Sequence, residues 1–164
     1  VFAPVFEEIL FRGLILRTLQ PYGKKFSILA SAFLFGIFHG NLVQSPFAFA
    51  VGLVLGYVTV EYSMGWAILL HMINNFVLGD ALPRLMRILP DWTGELIWFV
   101  IIWGSAIGAL VILIVKRKEI TNYFRNGKIH PLCVRSFFTS PGVLVLTGIM
   151  ALNIALTLLL QLLA

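Results

Sequence analysis

The chain has 164 residues, 60% of them hydrophobic and only 12% charged, whereas a soluble domain is about 45–50% apolar and about 25% charged. With a mean hydropathy of +0.98, that balance excludes a soluble globular domain and defines an all-α, polytopic membrane protein. The net charge of +5 does not point to nucleic acid: six of the twelve basic residues fall between Lys116 and Arg135, beside an apolar span, as on the flank of a cytoplasmic membrane loop.

Apolar spans of about 20 residues are the unit of organisation, and six are expected. Helix 1 is predicted over Pro4–Leu19, with Pro4 in the first turn, where its missing N–H costs nothing. Helix 2 is predicted over Phe26–His39, helix 3 over Phe47–Tyr62 and helix 4 over Trp66–Leu82. Glycines 52 and 56 in helix 3 suit close helix packing. Pro83–Thr93 reads as a polar connection. Helix 5 is predicted over 95–115, Lys116–Pro141 as a basic loop and helix 6 over Gly142–Leu163. Residues 1–82 hold the polar groups buried in apolar runs, and 83–164 add two further membrane helices. The chain opens at Val1 with acids already in its first helix, which reads as a piece lacking earlier helices. Simple alternation puts Lys24, Lys25 and the six basic residues of the 116–141 loop on one side. The positive-inside rule makes that side cytoplasmic.

Glu7, Glu8 and Arg12 interrupt helix 1. A charged side chain at bilayer depth costs at least about 2.5–3.5 kcal/mol on insertion scales, so such residues read as functional. Arg12 lies one turn beyond Glu8 on the same face and is its expected ion-pair partner. Glu7 points about 100° away from Glu8 and has no local cation, so the rest of the chain must supply its partner. His39 ends helix 2. His71 and Asn75 share a face of helix 4. Together these groups can do acid/base chemistry. A carboxylate can take a proton from water, an imidazole can share it, and an imidazole with a carboxamide can donate hydrogen bonds to an oxyanion. Peptide hydrolysis is one reading; a transporter or proton relay is another. Blander readings exist for each residue. Glu8–Arg12 can be a structural pair, His39 can cap a carbonyl, and His71 and Asn75 can bond a neighbouring helix. Phe35 reads as packing, and Cys133 as an inert thiol that excludes an internal disulfide.

The pattern Glu7-Glu8-x-x-x-Arg12, then Phe35-x-x-x-His39, then His71-x-x-x-Asn75 resembles the CAAX protease and bacteriocin-processing family, the type II CAAX prenyl endopeptidases, over residues 4–80. The resemblance implies an intramembrane endopeptidase in a prokaryotic plasma membrane, acting on a membrane-associated peptide such as a prenylated CAAX tail or a leader peptide. It implies that Glu7 and His39 activate water, that His71 and Asn75 hold the oxyanion, and that Glu8 and Arg12 keep the site in shape. Family members are often labelled metalloproteases. Zinc on Glu7, His39 and His71 is the alternative to a metal-free mechanism, although no His-Glu-x-x-His is present. A non-enzymatic bacteriocin-immunity protein is a second alternative. Span counting sets His39 near the outer face and His71 near the cytoplasmic end. For them to meet, either the Ser63–Gly65 turn is recessed or helix 2 continues past Gly40.

Overall fold

The computed structural model describes residues 2–42, 44–90, 92–94, 96–97, 99–101, 104, 111, 114–125 and 129–163, and every regular element among them is helical. The chain divides into two units, Val1–Met72 with Ile129–Ala164, and Ile73–Lys128. Each is taken by itself.

The first unit begins with one continuous helical stretch: α1 (Phe2–Glu8), a π-wound segment (Ile9–Leu16) and α2 (Arg17–Leu19). A tight turn at Gln20–Tyr22 and Gly23 leads into α3 (Lys24–Phe38). The chain then forms α4 (Gln44–Glu61) and α5 (Met64–Asn75), whose last three residues belong to the second unit. Helix α7 (Arg117–Arg125) belongs to the second unit, and the first unit closes with α8 (Pro131–Phe138) and α9 (Pro141–Leu163).

Packing between α3 and α4 follows from small residues. A methyl group on Gly36 would lie 2.9 Å from Phe49 Cβ and 3.0 Å from the Ser45 carbonyl oxygen. On Gly52 it would lie 3.1 Å from Ala32 Cα, and on Gly56 3.2 Å from Ile28 Cγ2. Pairings 36 with 49, 32 with 52 and 28 with 56 make α4 antiparallel to α3. The glycine spacing thus does what it predicts in membrane helices, letting backbones approach. Ser31 Oγ donates to the Phe11 carbonyl at 2.8 Å, and Phe11 packs edge-on against Phe35 at 5.2 Å and Phe38 at 5.5 Å. The first helix is therefore also antiparallel to α3. The core joins these rings to Phe26, Ala30, Leu34, Ala48, Phe137 and Val143.

Helix α3 stops at Phe38, and Gly40 turns the chain at φ +58°. Continuation of that helix past Gly40 is thus excluded. A methyl group on Gly13 would meet Met64 Sδ at 3.4 Å. The start of α5 therefore lies beside the middle of the first helix, and α5 runs antiparallel to it.

The stretch 116–141 is not a plain loop. His130 Nδ1 accepts from the Leu132 N–H at 3.3 Å, capping α8 just before Pro131. Phe137 packs edge-on against Phe26 at 5.9 Å. His130-Pro131 was the available start signal.

The second unit continues α5 through a π-wound segment (Phe76–Ala81) into α6 (Leu82–Met86). Winding persists past Pro83 to Met86, beyond the helix end expected at Leu82. Exposed ion pairs Asp80–Arg84 at 3.4 Å and Lys116–Glu119 at 2.8 Å decorate this unit.

One helix among the described residues is long and apolar enough to cross a membrane, Pro141–Leu160 in α9, with 20 residues and mean hydropathy 2.5. The expected helix over 95–115 falls mostly outside the described residues.

Candidate active site

The site grows from the first helix. Glu8 and Arg12 are both fully buried, and Arg12 Nη1 lies 3.1 Å from Glu8 Oε1. The ion pair expected from i, i+4 spacing forms where the winding widens. Such π-wound turns are rare and gather at functional sites. Arg12 Nη2 donates to the Gly52 carbonyl at 3.2 Å. That carbonyl is within reach because α4 packs closely on α3 at this glycine. The guanidinium carbon sits 4.4 Å from the centre of the Phe35 ring. A desolvated cation over a ring is worth about 2 kcal/mol or more.

His71 completes the cluster from α5. It is 3% exposed. Its Nδ1 lies 2.8 Å from Glu8 Oε1, and its Nε2 lies 3.6 Å from Glu7 Oε2. A carboxylate facing Arg12 accepts, so Nδ1 carries the donated hydrogen. The distant partner that Glu7 required is His71. Glu7 is also the one acid of the cluster open to its surroundings, with 26% of its side chain exposed against none for Glu8. Glu8 Oε2 and Arg12 Nε carry no hydrogen bond although they are buried. Incompletely satisfied buried groups are costly and call for an explanation beyond packing.

His39 sits differently. Its Nδ1 lies 2.8 Å from the Phe35 carbonyl oxygen. A carbonyl only accepts, so Nδ1 bears the hydrogen, and the neutral ring presents Nε2 as an acceptor. The ring packs edge-on on Phe35 at 4.8 Å. His71 packs on the same Phe35 at 5.5 Å. The antiparallel register that sets Phe35 opposite Phe11 carries residue 39, one turn on, to the level of residue 7. Phe35 is thus more than packing: its ring touches Arg12, His39, His71 and Phe11. Its place four residues before His39 was the signal. Nothing in the sequence singled out the Gly52 carbonyl or Ser31.

Asn75 ends α5 in the second unit, and its Oδ1 accepts from Asn74 Nδ2 at 3.3 Å. Among the described residues, no three His, Cys, Asp or Glu side chains converge as a metal would need. A carbonyl holds His39 Nδ1 and Glu8 holds His71 Nδ1, which leaves Nε2 of each ring as the nitrogen that a metal on Glu7, His39 and His71 would use. A cavity of about 440 Å³ lies between Leu19, Tyr22, Phe26 and α8, away from the acids.

Helices packed antiparallel around a buried carboxylate–guanidinium–imidazole cluster define a class: an all-α membrane-type bundle with acid/base groups in its interior. Residues 1–77 match the family model described as type II CAAX prenyl endopeptidase Rce1-like. That match makes this segment, with every buried member of the cluster, similar to the CAAX protease family, whose members are membrane-embedded proteases. No curated protein and no solved structure matches the chain.

Proposed function

We propose that the chain is an intramembrane endopeptidase that hydrolyses a peptide bond of a membrane-associated substrate, a prenylated CAAX tail or a leader peptide. The observation that carries this reading is the part-exposed Glu7 carboxylate set 3.6 Å from His71, itself anchored by the wholly buried Glu8–Arg12 pair. One carboxylate is left reachable while its neighbours are locked, as a general base requires.

In the proposed reaction, Glu7 takes a proton from water as the water oxygen bonds to the substrate carbonyl carbon. The water's other hydrogen is held by Nε2 of His39, which its Nδ1–Phe35 bond leaves as an acceptor. His71, carrying hydrogen on both ring nitrogens with Nδ1–H held by Glu8, donates Nε2–H to the oxyanion, and Asn75, one turn along α5, is assigned the second donor. When the intermediate collapses, the C–N bond breaks and Glu7 returns its proton to the leaving nitrogen. Glu8 and Arg12 position His71 and touch no substrate. No step uses a metal. The proposal extends to six crossings with the basic loops cytoplasmic, in a prokaryotic plasma membrane.

The test is cleavage of prenylated CAAX tails and leader peptides in proteoliposomes, by the protein and its Glu7→Gln variant, with and without chelator. Removal of a general base is expected to cost about 10²–10⁴ in rate, with no effect of chelation. Normal turnover by Glu7→Gln would sink the proposal. Turnover lost on chelation would replace its water-activation step by zinc chemistry. A folded protein that cleaves nothing, and protects against a bacteriocin without Glu7, would be an immunity protein instead.

A further inference from the structure

Two buried serines lie one turn apart on α3 and differ in where the hydroxyl goes. Ser27 Oγ donates at 2.8 Å to the Lys24 carbonyl of its own helix. Ser31 Oγ donates at 2.8 Å across to the Phe11 carbonyl of the first helix. At helical spacing Ser31, Phe35 and His39 share one face of α3. Phe35 on that face touches Phe11, Arg12, His39 and His71. Ser31 is the next group along the face that carries the site, and the reaction above leaves it without a role.

What Ser31 touches is a helix out of its ordinary winding. The first helix is α-wound through Glu8 and π-wound from Ile9 to Leu16, and Phe11 and Arg12 lie inside the widened stretch. Alpha winding is the default, and helices leave it where a side chain inserts into the backbone ladder. The Ser31 hydroxyl is such an insertion: it brings the Phe11 carbonyl a donor from a second helix. Winding also sets how Glu8 faces Arg12. Four residues of α-helix carry a side chain about 40° past a full turn, at about 100° per residue, and a wider turn carries it less far. Arg12 reaches Glu8 Oε1 at 3.1 Å and the Gly52 carbonyl at 3.2 Å from the widened form. The same Glu8 oxygen holds His71 Nδ1 at 2.8 Å.

We infer that Ser31 is a positioning residue: its bond to the Phe11 carbonyl holds the π-wound turn in which Arg12 meets Glu8, and through Glu8 it sets the His71 ring. Ser31 itself touches no substrate. One turn away, Ser27 has the same chemistry and burial but spends its hydroxyl within α3, so it has no hold on the first helix. The role rests on the hydrolase reading above.

The experiment compares Ser31→Ala and Ser27→Ala with the unaltered protein in proteoliposomes, using a prenylated peptide. The ring-nitrogen signals of His71 are followed in detergent by NMR of histidine-labelled protein. Ser31→Ala is expected to lower kcat roughly three- to tenfold, the effect of about one hydrogen bond, with KM within about twofold and the His71 signals displaced. Ser27→Ala is expected to keep kcat and the His71 signals of the unaltered protein. Ser31→Cys retains only a weak donor and is expected to fall between; it carries the same comparison where Ser31→Ala does not insert. An unchanged kcat in Ser31→Ala would overturn the inference while leaving the hydrolase intact. Equal losses in the two alanine variants, or a loss in Ser31→Ala with the His71 signals unmoved, would assign the serine to helix packing and overturn it likewise. An unaltered protein that cleaves no peptide would fail the hydrolase reading itself, and the inference with it.

Discussion

Two ion pairs in the same unit differ in everything but charge. Glu8–Arg12, in the middle of the helices, spans 3.1 Å with both side chains fully buried. Lys24–Glu61, at the end where α3 begins and α4 ends, spans 3.2 Å with the side chains 59% and 37% exposed. The outer pair is an ordinary surface bridge, worth about 0–1 kcal/mol. The inner pair gave up hydration that its mutual attraction rarely repays in full, so it stabilises little against an apolar pair yet is very costly to break. The contrast says why the interior pair is there. Its product is the placement of His71, whose Nδ1 it holds at 2.8 Å, and stability is incidental.

The largest effect should come from breaking the inner pair on one side only. Arg12→Ala leaves Glu8 buried without its cation and is expected to cost about 3–5 kcal/mol, read as a fall in thermal stability in detergent. Replacing both partners, Glu8→Leu with Arg12→Met, should recover much of that stability while His71 loses its anchor and activity stays lost. If Arg12→Ala melts like the unaltered protein, the burial argument is wrong. Glu7→Gln is the counterpart. Glu7 is part-exposed and its imidazole contact is long, so its removal should cost activity by the factor given above and leave melting nearly unchanged. A large loss of stability in Glu7→Gln would mean that Glu7 is structural.

How much of this was legible follows from the range of each interaction. Spacing along one helix is local, so the Glu8–Arg12 pair and the isolation of Glu7 could be read from residues 7, 8 and 12 alone. The partner of Glu7 could not, because the 3.6 Å approach of His71 depends on where α5 starts against Gly13. Span counting could not supply it, because it fixes each helix against a membrane face and not against its neighbours, whereas Met64 lies beside Gly13 of the first helix. The 3.6-residue period also said nothing of the π-wound stretch from Ile9 to Leu16. The 116–141 region was read from its charge, and the Phe137 contact that folds α8 back onto Phe26 is invisible to charge. Phe35 was underread for a related reason, since an aromatic ring among apolar residues looks the same in sequence whether it fills space or carries two imidazoles and a guanidinium.

A smaller effect tests the frame that holds the inner pair. The Gly36 position has backbone on two sides, Phe49 Cα at 3.2 Å and the Ser45 carbonyl at 3.0 Å, so Gly36→Ala must push α4 away from α3. Overpacking of this kind costs about 1–3 kcal/mol. Because α4 also presents the Gly52 carbonyl to Arg12, the same change should reduce cleavage by more than Gly79→Ala, at a glycine with open space around it. Equal behaviour of the two variants in melting and turnover would show that α3–α4 contact does not position the pair.

The smallest effect belongs to the outer bridge, and its smallness is the informative part. Lys24→Met removes a cation that is 59% exposed, and Glu61, 37% exposed, keeps access to its surroundings. The expected loss is under about 1 kcal/mol, and it should shrink further as salt is raised, since exposed charges are screened over about 8 Å at physiological ionic strength. The melting difference between Lys24→Met and the unaltered protein should therefore close with added salt, while that of Arg12→Ala should not. A Lys24→Met variant as damaged as Arg12→Ala, or one equally deaf to salt, would mean that the rim is as dehydrated as the interior. Burial would then no longer separate a charge that holds a buried imidazole from one that merely ties two helix ends.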